Sequence, residues 1–91
     1  MSAEKKLKDL GISLPQPPQP VANYVRAVRT GNLLFVSGHG PYADGKIKMS
    51  GKVGKELTVE EGYQVARNVG LNCLASIRAT LGDLDKVKRV V

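Results

Sequence analysis

The chain has 91 residues, which allows one small domain. Its formal charge of +6 leaves either a nucleic acid or an anionic metabolite open as a partner. A single cysteine excludes an internal disulfide and any metal site built from several cysteines. The sequence shows neither a signal-peptide core nor a run approaching the ~20 apolar residues of a membrane helix. We therefore expect a soluble, cytoplasmic protein without a membrane partner.

The first 20 residues predict a short helix followed by a proline-rich arm. Ser2 can cap a helix that runs to Leu10, and Gly11 can end it. The four prolines between residues 15 and 20 exclude a helix there and favour an extended conformation. Such an arm suits either a ligand for SH3 or WW domains or a stiff connector laid across the domain, and we favour the connector. Residues 1–20 are therefore assigned to this arm and residues 21–91 to the domain proper.

A strand and a tight turn are predicted next. Residues 21–29 alternate between the two sides of a strand, which places Tyr24, Arg26 and Val28 on one side. The turn Thr30-Gly31-Asn32 follows and joins this strand to a second one, as in a β-hairpin.

The second strand leads into a glycine-rich loop. The continuous apolar run 33–36 suits a strand that is buried on both faces. The loop Ser37-Gly38-His39-Gly40-Pro41 comes directly after it. Asp44-Gly45 marks a further turn, and residues 46–48 predict a brief strand.

The strongest predicted element is a long helix from about Val59 to Leu81. Thr58 and Glu61 can form a capping box at its start, and Gly82 suits its end. Apolar residues at spacings of three and four form one stripe, which predicts the buried face of the helix. The members of the stripe are Val59, Tyr63, Ala66, Val69, Gly70, Cys73, Ile77 and Leu81. Residues 86–91 predict the beginning of another strand.

The glycine-rich loop is the best candidate for a binding site. Its glycines let backbone N–H groups approach a ligand, while Ser37 adds a hydroxyl and His39 a group that can transfer a proton. If the turn pairs Tyr24 with Ser37, a phenol, a hydroxyl and an imidazole converge beside Gly38 and suit a small anionic ligand. Arg26, on the same strand side, can bind a carboxylate. An ordinary turn with a solvent-facing histidine and an exposed polar strand face is the alternative, and the residues alone leave both open.

No nucleophile or metal site is predicted. Cys73 lies in the middle of the helix on its apolar stripe, so we interpret it as a buried structural thiol. No cluster of Asp, Glu and His has the spacing of metal ligands. Catalytic residues stay unassigned from the sequence alone.

Several segments resemble the YjgF-like reactive intermediate deaminases, a family also called the endoribonuclease L-PSP family. The resemblance begins in residues 23–28 and in Gly31-Asn32-Leu33-Leu34-Phe35-Val36-Ser37-Gly38-His39-Gly40-Pro41. It continues through Leu57-Thr58-Val59-Glu60-Glu61-Gly62-Tyr63, Ala66-Arg67, Leu71-Asn72 and Gly82-Asp83-Leu84-Asp85-Lys86-Val87. The order and spacing of these segments across residues 21–91 carry the resemblance, rather than any single motif.

The resemblance implies an α/β (α+β) fold of the chorismate-mutase-like type, a mixed sheet with helices on one face. It also implies a homotrimer with active sites between subunits. Members of the family hydrolyse reactive 2-imino acids, the tautomers of enamines, to 2-keto acids and ammonia without a cofactor. By position, Tyr24 and Ser37 would line the pocket, and His39 stands where many members have glutamine.

The resemblance further implies that the sequence covers only part of this fold. It would stop after the first long helix and the start of the next strand, which leaves the domain at 21–91 incomplete. The family arginine that binds the substrate carboxylate would lie beyond Val91, so we expect this chain alone to be inactive. A 2-imino or 2-keto acid is the expected partner of the parent protein. The alternatives are an RNA-acting protein, either a ribonuclease or a translation inhibitor, and a non-catalytic ligand-binding trimer.

Overall fold

The computed structural model describes residues 2–19, 23–43, 46, 47 and 49–91. In chain order its elements are α1 (Ala3–Asp9), β1 (Ala27–Thr30), β2 (Leu33–Val36), β3 (Tyr42–Ala43), β4 (Lys46–Ile47), α2 (Val59–Leu81) and a 3₁₀ turn (Leu84–Lys86). The helix α2 contacts β1, β2 and β3. This arrangement confirms the predicted α+β class, although the described strands form two antiparallel hairpins rather than one mixed sheet.

The β1–β2 hairpin is shorter than the sequence predicts. Ala27 pairs with Val36 and Thr30 pairs with Leu33, on either side of a turn in which Gly31 has φ +56°. The prediction of a strand over 21–29 is wrong at its start, because β1 begins only at Ala27. The partner strand ends at Val36, and after one further backbone bond from Ser37 to Arg26, the described residues before Arg26 have no strand beside them. Residues 21 and 22 lie outside the described part of the chain.

One face of this hairpin is apolar and exposed. Residues paired across an antiparallel ladder point to the same side, so Val28 and Phe35 lie on one face with Leu33. These three side chains are 53%, 60% and 57% exposed, whereas Leu34 on the opposite face is half-buried. The prediction that the run 33–36 is buried on both faces is therefore wrong for this chain, because no described element covers the first face. We call Val28, Leu33 and Phe35 the hairpin patch.

The second hairpin is very short. β3 and β4 pair antiparallel, with Tyr42 opposite Ile47. β4 confirms the predicted brief strand at residues 46 and 47, while Lys48 and the predicted turn Asp44-Gly45 lie outside the described residues. β3 was not predicted, because a strand of two residues shows no alternation in the sequence.

The helix α2 has the predicted bounds, and its caps are the predicted ones. Thr58 Oγ1 accepts a hydrogen bond from the Glu61 N–H at 3.1 Å, and Glu61 Oε1 accepts one from the Thr58 N–H at 2.9 Å. Gly82 ends the helix at φ +85°, a left-handed conformation that glycine adopts without strain. Both ends are therefore determined by residues within one turn of them.

The buried face of α2 differs from the predicted apolar stripe. Val59 and Tyr63 of that stripe are exposed, whereas Asn72, Ala75 and Ser76 are buried. The predicted buried face is therefore wrong along the first half of the helix. Asn72 and Ser76 form hydrogen bonds to the loop at residues 39 and 40, which holds this side of the helix inward. The spacing of apolar residues does not predict such bonds.

The short helix α1 is held against the end of α2 by Glu4. Ser2 caps α1 as predicted. The Glu4 carboxylate accepts hydrogen bonds from Arg78 at 3.3 Å and from the Leu84 N–H at 2.9 Å. The Glu4 N–H in turn donates to the Asp85 carboxylate at 3.0 Å. A helix this short is marginal alone, and these charge-assisted bonds attach it to a surface.

Residues 87–91 form no strand. The chain leaves the 3₁₀ turn after Lys86, and no described strand lies beside the residues that follow. Val90 and Val91 are fully solvent-exposed. The prediction of a strand from Lys86 is therefore wrong for this chain, because a strand requires a hydrogen-bonded neighbour and Lys86 itself belongs to the 3₁₀ turn.

Two glycines of α2 provide a matched test of how the segment before the helix packs on it. A Cβ on Gly70 would meet no atom within 4 Å, whereas a Cβ on Gly62 would lie 2.7 Å from Cγ2 of Val53. We expect Gly70→Ala to raise the free energy of unfolding by about 1 kcal/mol, because alanine is the better helix former. Gly62→Ala should gain less or lose stability, because Val53 must move. Equal gains in urea unfolding would contradict the packing of Val53 on α2.

Candidate functional site

The loop from Ser37 to Pro41 begins where β2 ends. The Ser37 N–H donates to the Arg26 carbonyl at 2.9 Å, which continues the hairpin by one bond. The Ser37 hydroxyl oxygen lies 2.8 Å from the Val25 carbonyl oxygen and 3.0 Å from that of Arg26. Carbonyl oxygens only accept, so the hydroxyl proton is directed to the backbone. A ligand beside this loop would therefore meet Ser37 Oγ as a hydrogen-bond acceptor.

The space beside Gly38 is open. A Cβ built on Gly38 would meet no atom within 4 Å, and the residue is exposed. Ser37, its neighbour, is half-buried. A small ligand can therefore approach the backbone next to the Ser37 oxygen.

His39 points inward, onto α2. Its Nδ1 lies 2.7 Å from the Ser37 carbonyl oxygen, and because that oxygen only accepts, Nδ1 carries a proton. Its Nε2 lies 2.7 Å from Ser76 Oγ and, in the neutral ring, accepts the hydroxyl proton. Both ring nitrogens are engaged. His39 is therefore neither the solvent-facing residue nor the free proton-transfer group that the sequence left open.

Two buried polar residues of α2 hold the loop. Asn72 is 1% exposed and donates from Nδ2 to the Gly40 carbonyl at 3.0 Å. Ser76 is 0% exposed and bonds to His39. Residues four apart lie above one another on a helix, so the two bonds leave from one face. This pair was not predicted. It could have been predicted from the sequence, because Asn72 and Ser76 are two polar residues at helical spacing in an otherwise apolar part of α2.

Arg26 and Tyr24 have different surroundings. Arg26 is half-buried and donates from Nη1 to the Pro18 carbonyl at 3.3 Å, which fastens the proline-rich arm to the hairpin and agrees with a connector. Tyr24 precedes β1, and its side chain is exposed. The ladder sets Ser37 beside Arg26, so the predicted pairing of Tyr24 with Ser37 is wrong. A pocket shared by Tyr24, Arg26 and the loop stays a prediction.

Cys73 has the properties of a structural thiol. It is half-buried in α2, and this burial raises the pKa of its thiol above the ordinary value. A raised pKa lowers the thiolate fraction at neutral pH, and the thiolate is the nucleophilic form. The position agrees with the predicted structural role, although the burial is partial.

The rest of the described surface contains no second cluster of this kind. Among the described residues, no three His, Cys, Asp or Glu side chains converge on one point. None of the described helices is long and apolar enough to cross a membrane. An open concavity of about 430 Å³ lies between α1, the segment after it and Arg78, and no residue of the glycine-rich loop lines it. The loop, with the buried pair that holds it, is the candidate site.

A known family matches the chain along nearly its whole length. The family described as "YjgF/chorismate_mutase-like, putative endoribonuclease" matches residues 4–91. The sequence is also 47% identical to Protein TCP17 of Trypanosoma cruzi over 85 residues, which are 93% of this chain and 53% of that protein.

Two solved structures are similar to the chain. One, from Shewanella oneidensis and described as a "putative endoribonuclease", has a TM-score of 0.91 and 32% identity, over 99% of this chain and 60% of its own. The other, Atu1372 from Agrobacterium tumefaciens, described as a protein with unknown function, has a TM-score of 0.78 and 42% identity, over 96% of this chain and 52% of its own. The chain spans about half the length of the relatives it matches.

Cys73 in the folded protein should react slowly with a thiol reagent. At neutral pH we expect labelling to be at least about tenfold slower than in denaturant, because burial restricts access and lowers the thiolate fraction. Labelling equally fast in both states would contradict this.

The same burial predicts a pH dependence of stability. The folded state holds the thiol proton more tightly than the unfolded state, so this contribution is present below the ordinary thiol pKa of 9.0 and is lost as the pH rises through the higher folded value. In Cys73→Ser, the free energy of unfolding measured in urea should therefore fall less between neutral and alkaline pH than in the unaltered protein.

Proposed function

Because this chain belongs to the YjgF/chorismate mutase-like family, we propose that the protein carrying it hydrolyses reactive 2-imino acids to 2-keto acids and ammonia. The observation that supports this most is the open backbone at Gly38 beside the Ser37 oxygen, on a loop held by buried hydrogen bonds. Imines react readily with water, so a rigid surface that positions substrate and water can supply much of the acceleration. A cytoplasmic location, expected from the sequence, forms part of the proposal.

The Ser37–Gly38 segment binds the reacting end of the substrate in this proposal. Ser37 Oγ, whose proton is directed to backbone carbonyls, accepts a hydrogen bond from the imine N–H or from the attacking water. The Gly38 N–H donates to the oxygen of the carbinolamine that forms when water adds, which gains negative charge as its proton leaves and ammonia is expelled. Water adds to the imine carbon, protons move to the nitrogen, and the C–N bond breaks to release ammonia and leave the keto group.

Arg26 and Tyr24 form the outer part of the proposed site. Arg26 supplies a guanidinium near Ser37, since their backbones are hydrogen-bonded. One of its five N–H donors bonds to the Pro18 carbonyl, and the other donors can bind a substrate carboxylate while this bond stays in place. Tyr24, exposed just before β1, is free to pack over the bound ligand.

RNA cleavage or translation inhibition is the second candidate function. The charge of +6 and the family description favour it. Cleavage by proton transfer requires available acid and base groups, and the single histidine of the chain has both ring nitrogens engaged. Binding of RNA without cleavage requires only charge, and it should weaken steeply with salt.

The hairpin patch supports assembly with further copies of the chain, and we propose a homotrimer. Monomeric proteins rarely expose large contiguous apolar surfaces, because water disfavours them. In a closed ring of identical subunits, each patch faces another copy and leaves none exposed. Sites between subunits would then combine the Ser37–Gly38 segment of one chain with residues of its neighbour.

The proposed activity can be measured on freshly generated 2-iminobutanoate. Semicarbazide traps this imine, so an active protein lowers the yield of semicarbazone in competition. In the native protein that carries this chain, Ser37→Ala should lower kcat/KM, because a hydrogen-bond acceptor is lost. The expected loss of transition-state binding is about 1–3 kcal/mol. Ser13→Ala, which removes an exposed hydroxyl outside the loop, is the matched control and should leave kcat/KM unchanged.

The outcomes of this assay separate the candidates. Saturable binding of a 2-keto acid without turnover would favour a non-catalytic binding protein. RNA cleavage by the same preparation without imine hydrolysis would replace the proposal by the second candidate. An unchanged kcat/KM in Ser37→Ala would remove Ser37 from the site.

Assembly is tested by two substitutions at equally exposed positions. Phe35 in the hairpin patch and Leu10 at the end of α1 are both 60% exposed. Phe35→Lys should dissociate the oligomer in sedimentation velocity, because the buried patch would gain an unpaired charge. Leu10→Lys should leave it intact. A monodisperse, cooperatively folding monomer of 9.8 kDa for the unaltered chain would contradict the assembly.

A further inference from the structure

We propose that Asn72 and Ser76 are positioning residues, which aim the Gly38 N–H at the substrate through the Ser37–Pro41 loop. The inference rests on the proposed function. Asn72 and Ser76 are 1% and 0% exposed, so neither can touch a ligand on the surface. Each bonds instead to the part of the loop directly after Gly38, and their effect on a ligand passes through the backbone.

A continuous chain of hydrogen bonds leads from α2 to the peptide unit that contains the Gly38 N–H. Ser76 Oγ is bonded to His39 Nε2 at 2.7 Å. On the other side of the same ring, the Nδ1–H donates to the Ser37 carbonyl at 2.7 Å. That carbonyl and the Gly38 N–H belong to one peptide group. Ser76 therefore acts on Gly38 through a single imidazole.

The planarity of the peptide group transmits this orientation. The described residues contain no cis peptide bond, so the Ser37 carbonyl and the Gly38 N–H point in opposite directions. Holding the carbonyl toward His39 turns the N–H away from His39. A carbonyl that accepts a hydrogen bond also polarises its peptide group, which makes the N–H a better donor.

Asn72 holds the loop at a second point. Its amide donates to the Gly40 carbonyl at 3.0 Å, one residue beyond His39. Both anchors leave one face of a capped, continuous helix, so their separation is set by the helical rise. Two anchors on adjacent residues prevent the loop from rotating about either one. In this arrangement His39 links α2 to the loop and does not itself bind the substrate.

The bond between Ser76 and His39 is tested by a double-mutant cycle in the native protein. Ser76→Ala and His39→Ala should each lower kcat/KM for the imine about ten- to hundredfold, since small misplacements of a reacting group have effects of this size. The double variant should be no worse than His39→Ala, because both substitutions break one chain of bonds. Thr80→Val is the control. It removes a hydroxyl one turn further along α2 that donates to the Ser76 carbonyl within the helix. Because the Ser76 hydroxyl keeps its bond to His39, kcat/KM should not change.

Two results would overturn the proposal. Losses that multiply in the double variant would show that His39 contacts the substrate independently of Ser76. An unchanged kcat/KM in Ser76→Ala, with the protein folded, would show that the bond has no role in positioning. Should Ser76→Ala fail to fold, Ser76→Cys keeps nearly the same volume with a much weaker donor and takes its place.

A spectroscopic readout separates this inference from the proposed function. In ¹⁵N NMR the unaltered protein should show a proton on His39 Nδ1. Ser76→Ala should shift the ring nitrogens and the Gly38 amide, whereas Thr80→Val should not. If these shifts occur in a protein without imine hydrolysis, the proposed function fails while the chain of bonds stands. An unmoved Gly38 amide overturns the positioning role whatever the activity.

Discussion

Buried hydrogen bonds between α2 and the Ser37–Pro41 loop are the interaction on which the rest of the described structure depends. Among the residues whose burial the structure describes, four are buried: Asn72 and Ser76 are polar, and Ala75 and Leu84 are apolar. A buried polar group that loses its partner destabilises a fold more than an apolar contact of the same size, because its desolvation is no longer compensated. The position of the hairpin on the helix is therefore set by donor and acceptor geometry as well as by apolar packing.

The distribution of apolar surface follows from this small core. A chain of this length buries a limited share of its surface, and here most large apolar side chains of the hairpin and of the first turns of α2 face outward. The polar anchors define the local geometry, while the apolar exterior is available to hold copies of the chain together. In the proposed assembly, the residues that position the loop are therefore different from the residues that would hold the copies together.

Features that depend on near neighbours in the sequence were predicted well. The caps at Ser2, Thr58 and Gly82 each involve residues within one turn, so the helix ends followed from residue types alone. The burial of β2 and the strand after Lys86 were predicted wrongly, because both depend on whether another element lies alongside. The prediction of which face of α2 points inward failed for a related reason, because Asn72 and Ser76 bond to partners more than 30 residues away in the sequence. At the candidate site, the glycines predicted the position of the loop. The direction of the His39 side chain could not be predicted from the sequence, because it depends on Ser76, 37 residues away.

The attachment of α1 also has a consequence for the order in which the chain folds during synthesis. Glu4 is held by residues 78, 84 and 85, so its partners are synthesised 74 to 81 residues after it. A helix of seven residues does not persist alone in water. The segment around Glu4 therefore stays without this docking surface while the hairpin and α2 form, and α1 can dock only after Asp85 has been synthesised.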